Sequence, residues 1–193
     1  MTNRREILQA ALATAVVLPS LKAVAGAPAR MPLYKVLYDP RTRAGLTFAA
    51  AAKRMGALLH ATRGDVTGVW FDELQPEWSR RRTAVAGLTD FHSLFVLDMM
   101  ARDARMRAVF IATHRWCDGD RFEHRLFGPR DLIRQASLAT AGYDWASTTG
   151  GIVTSLPDAV SVAAQHSSIA EARNIELTSR DLVSWVIAPP LRV

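Results

Sequence analysis

The chain has 193 residues, 49% hydrophobic and 22% charged, with a formal net charge of +6 and a single cysteine. Lone Cys117 excludes an internal disulfide and a zinc ribbon built on Cys-x-x-Cys pairs, and in an oxidising compartment it is expected to be shielded. The basic clusters Arg80-Arg81-Arg82 and Arg102, Arg105, Arg107 lack the interleaved aromatics of a nucleic-acid surface, so nucleic acid is not an expected partner and these arginines read as a solvated face.

The first element is a leader. Arg4-Arg5, the apolar stretch from Ala10 to Leu21 and the small residues Ala23-Val24-Ala25 form the charged, hydrophobic and cleavage regions of a secretory signal. Pro19 and Lys22 interrupt the apolar run well short of the ~20 residues that a membrane span requires, so no permanent anchor is read. The stretch Asn3-Arg4-Arg5-Glu6-Ile7-Leu8-Gln9 resembles the twin-arginine export signal of bacteria. It departs from the common pattern at Asn3, Ile7 and Gln9, and the resemblance covers the leader alone. It implies export of an already folded protein to the periplasm, together with a cofactor or a co-exported partner; nothing in the rest of the sequence names either. Cleavage after Ala25 removes 25 of the 193 residues and leaves 168, a single domain over 26–193. The leader holds three basic residues against Glu6, so the remainder keeps +4 of the +6.

Leu33–Tyr38 reads as a first strand, followed by a helix whose apolar positions from Leu46 to Met55 stop at Gly56, a natural C′ residue. Residues 57–61 form a second short strand. Arg63-Gly64-Asp65 turns into a short helix capped by Asp65, with Val66, Val69, Trp70 and Leu74 on one face and Pro76 as its expected end. Residues 84–88 are a third strand, Asp90 to about Ala104 a helix, and 108–112 a fourth strand. Continuous apolar runs with little alternation mark strands covered on both faces, as in a parallel sheet. Asp118-Gly119 signals a hairpin to an antiparallel strand at 121–127. A helix over about 130–141, a Gly150-Gly151 turn, a helix start at Ser155 and a last strand over 182–187 complete the chain. The expectation is a three-layer α/β domain: a mostly parallel sheet of about four strands with an antiparallel hairpin edge and helices on both faces.

In such a sheet the ligand crevice lies beyond the carboxyl ends of the strands. The four exits carry Asp39, Arg41 and Arg43; Arg63 and Asp65; Thr89, Asp90 and His92; and His114. Asp39, Asp90, His92 and His114 are the acid-base candidates, and Arg41, Arg43, Arg63, Asp65, Thr89 and Trp70 the ligand-binding ones. There is no Gly-x-Gly-x-x-Gly, no Gly-Lys-Ser/Thr and no Gly-x-Ser-x-Gly, which excludes the common phosphate cradles and the nucleophile elbow. No metal site is read. A two-residue turn at Asp118-Gly119 would face His114 with Glu123, a three-residue turn with His124, and only the second brings two imidazoles together, with His92 a conceivable third ligand. The spacing Trp70, Leu74, Trp78 reads as core cover, or as a lid with Trp78 projected by Pro76. Two functions follow: a non-catalytic periplasmic protein that binds a small ligand or accompanies a co-exported partner, and a small enzyme working at the crevice. Replacing Arg4 and Arg5 together by lysine is expected to remove the processed form from the periplasmic fraction; undiminished processing would overturn the export reading.

Overall fold

The computed structural model describes residues 31–116, 122–128, 133–134, 144–163 and 181–190, with backbone alone for 122 and 156–163. The expected leader, Cys117, the expected hairpin turn and most of the helix expected over 130–141 lie outside the described residues. In chain order the elements are β1 (Leu33–Tyr38), α1 (Arg43–Arg54), β2 (Leu59–Ala61), α2 (Thr67–Val69), a π turn (Trp70–Leu74), α3 (Gln75–Arg80), β3 (Ala84–Asp90), α4 (Phe91–Ala101), β4 (Arg107–Trp116), β5 (Phe122–Phe127), α5 (Trp145–Ala163) and β6 (Leu182–Ala188).

The strands form one sheet in the order β2-β1-β3-β6-β4-β5. β1 pairs in parallel with β2 and β3, while β6 is antiparallel to both β3 and β4, and β5 is antiparallel to β4. The four early strands therefore point the same way, but β4 does not lie beside β3. The sheet has six strands, parallel at one edge and antiparallel elsewhere, in place of about four mostly parallel ones. The physical reason is β6: it is buried at every position, so its apolar run has the same signature as a parallel strand sandwiched between helices.

Two apolar layers flank the sheet. On one side Phe48 and Ala52 of α1 and Trp145, Ala146 and Val153 of α5 pack on Val36, Ala86, Leu88, Phe110 and Val186. α1 and α5 approach so closely that a Cβ on Gly150 would lie 2.5 Å from the Phe48 carbonyl oxygen. Gly150 thus serves helix packing, and the expected turn at Gly150-Gly151 and helix start at Ser155 are corrected: one helix runs from Trp145 to Ala163. On the other side Val69, Trp70, Leu74, Trp78, Leu94 and Leu97 cover Leu37, Val85, Val183, Trp185 and Ile187.

Pro76 does not end its helix. It sits in the first turn of α3, just after the π turn, where a missing N–H is tolerated. In a regular helix Trp70 and Trp78 would point about 80° apart; the wider turn between them brings both indoles into the core, 5.8 Å apart edge to face. Trp78 is not a projecting lid: it is buried, and its Nε1 donates to the Thr83 carbonyl at 2.9 Å.

β6 is held by one close fit. The Trp185 indole lies over Gly87, where a Cβ would come within 2.5 Å of the ring, and its Nε1 donates to Thr89 Oγ1 at 3.0 Å. Gly87→Ala is expected to destabilise by roughly 2 kcal/mol, read as a fall in Tm of about 4–8 °C; an unchanged Tm would show that the indole is free to shift.

Candidate functional site

After β1 the chain leaves through α1 on one face of the sheet; after the neighbouring strand β3 it leaves through α4 on the other. The divergence opens a crevice beyond the carboxyl ends of β1 and β3, the topological switch point where open α/β sheets place their ligands. Asp39 and Asp90 stand at its two sides.

Arg41 bridges them. Asp39 Oδ1 accepts hydrogen bonds from the Arg41 backbone N–H and Nε, each at 2.9 Å, and Oδ2 accepts from Nη2 at 2.6 Å. Arg41 Nη2 also lies 3.6 Å from Asp90 Oδ2, while Asp90 Oδ1 caps α4 by accepting from the Ser93 N–H at 2.7 Å. The Arg41 hydrogen bonds hold the Asp39 carboxyl below its usual pKa, and Asp39 raises that of Arg41. Thr42 caps α1 through the Gly45 N–H at 2.9 Å. The loop after β2 closes over the guanidinium: a Cβ on Gly64 would fall 2.9 Å from Arg41 Nη2. The result is a single arginine fork set between two carboxylates, its side chain 57% exposed and Asp39 only 4%.

The other expected residues disperse. Arg43 opens α1 and is exposed; Arg63 is exposed and holds a left-handed backbone with φ 48°. Asp65 is not the expected cap of the next helix, whose cap position is Val66; it accepts from the Thr67 N–H at 2.8 Å, which lowers its pKa. Thr89 is fully buried, giving its hydroxyl proton to the Asp90 carbonyl and accepting from Trp185. His92 is exposed on α4, edge-on to Phe91. Trp70 is buried in the apolar layer shared with α4.

His114 is level with Asp90 across β6, both pairing with Leu182, yet it is wholly buried. It faces His124, the pairing expected of a three-residue turn. The two Nδ1 atoms are 2.7 Å apart, His114 Nε2 is 2.8 Å from Ser184 Oγ, and Trp145 stacks on the His114 ring at 4.3 Å and 25°. Burial, reinforced by His124, pushes the His114 pKa well below its ordinary 6.5, and burial lowers that of His124. Both rings are then neutral at pH 7. Either His114 donates to His124 and accepts from the Ser184 hydroxyl, or His124 donates and the His114 Nε2–H gives its hydrogen bond to Ser184. No three His, Cys, Asp or Glu side chains gather into a metal-binding group among the described residues, and His92 sits on a helix packed against the opposite face.

A further polar cluster escaped the sequence reading. The Glu73 carboxylate, carried by the π turn, binds Lys35 of β1 and His60 of β2, the latter Nδ1 at 3.0 Å. Burial lowers the Lys35 pKa; burial and then the Lys35 charge lower that of His60. The available signal was one polar residue inside each of two apolar strands, which a covered sheet must pair.

No protein family, curated protein or solved structure matches the chain. The site must be read from its own chemistry.

The histidines set the pH response. His60, His114 and His124 are all harder to protonate folded than unfolded, so their contribution to stability is complete above pH 6.5 and is lost as pH falls below it. Asp39 adds stability above its unfolded value of 3.8 that is lost only in stronger acid. Thermal unfolding of the protein is expected to show Tm falling steadily from about pH 7 to pH 5; a flat profile over that range would contradict the buried neutral imidazoles.

Proposed function

We propose that the chain is a non-catalytic protein exported to the periplasm by the twin-arginine route, where it binds a small ligand or accompanies a partner exported with it. The observation that carries this reading is the closure of Asp39 by Arg41. A general base needs a lone pair within reach of a substrate proton, and the Asp39 oxygens take three hydrogen bonds at 2.6–2.9 Å from Arg41 while the carboxylate is nearly buried. Asp90 caps α4, Asp65 accepts from the Thr67 N–H, and His114 has no exposed surface. What the crevice still offers is the outward side of the Arg41 guanidinium, a group suited to holding an anion rather than moving a proton.

The accompanying-partner form draws support from α4. Its outer side carries Phe91, Phe95 and Met99, 41%, 55% and 47% exposed, where a surface helix ordinarily places polar residues. A folded protein exported with its partner would keep such a face covered by the apolar surface of that partner.

A second reading, a small acid-base enzyme using Asp39, Asp90, His92 and His114, is favoured by one feature: the hydrogen-bonded chain from Ser184 through His114 to His124 has the order of nucleophile, base and orienting group.

Native mass spectrometry of the protein recovered from the periplasm separates the possibilities. The expected result is a mass above that of the processed chain, set by a bound small molecule or a second polypeptide, and loss of the second polypeptide in Phe95→Glu. A bare monomer would overturn the proposal. Ester hydrolysis abolished by both His114→Gln and Ser184→Ala would decide for the enzyme.

A further inference from the structure

The side of the sheet opposite the His114 cluster holds a groove of about 590 Å³ between the π turn with α3 and the end of α4, within the size range of small-molecule pockets. Trp70, Phe71, Trp78 and Met100 give it an aromatic and thioether lining, and Asp103 and Arg105 stand at its lip. Trp70 and Trp78 are buried edge to face behind it, and Phe71, 56% exposed, is the aromatic surface open to a visitor.

The lip is built with an unusual residue. Arg105 follows α4 with φ 57°, a left-handed conformation at a position where helices ordinarily use glycine. An arginine is kept there against the preference of the backbone, and it borders an aromatic groove. The surrounding charge agrees in sign. Arg81 is paired with Glu77 and Arg102 with Asp98, which leaves Arg80, Arg82, Arg105 and Arg107, all exposed and without an ion-pair partner among the described residues, against Asp72 and Asp103. Arg80 follows groove residue Ser79 directly, and Arg107 stands two residues after Arg105. The π turn completes the arrangement, because it is what turns Trp70 and Trp78 to the same side.

We infer that this groove binds an aromatic monoanion, a planar apolar body lying against Phe71 and Met100 with its carboxylate on Arg105. The guanidinium fork matches a carboxylate in geometry and charge, and the exposed Phe71 ring supplies stacking surface. The inference rests on the ligand-binding form of the function proposed above, gives the ligand a chemical class, and places it in this groove and not at Arg41.

Isothermal titration of the processed protein with 2-naphthoate, and with its uncharged methyl ester, tests it. Saturable one-to-one binding of 2-naphthoate is expected, with the ester weaker by about tenfold or more, as is normal for loss of a charged hydrogen bond. Arg105→Gly is expected to weaken 2-naphthoate to the same degree while Tm stays level or rises, since glycine suits that backbone, and Arg105→Lys to recover part of the affinity. Absence of binding, equal binding of acid and ester, or an Arg105→Gly affinity equal to that of the parent would each overturn the inference. A ligand retained from the periplasm whose affinity ignores Arg105→Gly would overturn this groove alone and leave the ligand-binding function standing.

Discussion

The architecture depends on a strand that arrives late and lands in the middle. β6 joins β3 to β4, and its fit is set where the Trp185 ring occupies the space that a side chain at residue 87 would need. Glycine there has nothing to do with turning the chain; it is an absence of atoms into which an indole fits. The same indole hydrogen-bonds the hydroxyl of Thr89, one residue before the α4 cap, so the contact that locks the sheet also fixes the strand end that leads into the crevice.

Local order was legible because local forces create it. β1 has the bounds its apolar run suggests, Asp90 caps α4 as its position before an apolar helix implies, and Val66, Val69, Trp70 and Leu74 are all buried. What failed depended on partners distant in sequence. Gly150-Gly151 resembles a turn until α1 is known to lie against it, and Pro76 resembles a stop until the π turn is known to precede it. The place of β6 could not be read from β6, since a strand covered on both faces looks alike whichever way its neighbours run. The hairpin left two registers open because both keep a glycine in the turn, and the pairing of His114 with His124 separates them.

The candidate site was legible as a location and only partly as a set of groups. Parallel β1 and β3 do bring Asp39, Arg41 and Asp90 to one crevice. The proton chemistry expected of Asp39 is altered by its neighbour: the Arg41 guanidinium occupies its oxygens and lowers its pKa, while Asp90 is engaged as the cap of α4. His114 shares the level of Asp90 but points into the layer beneath α5, because a strand alternates its side chains between faces and the neighbouring Ser184 and His124 supply partners there.

The centrality of β6 also governs how the molecule comes into being. Thr89 waits for a residue 96 positions downstream, so the adjoining flanks of β3 and β4 stay unpaired while everything between them is synthesised. Such open flanks invite intermolecular pairing, and contacts this distant close slowly. The facing edges of β3 and β4 are covered only when residues 182–188 pair with both, so the sheet cannot be completed before its last strand is made.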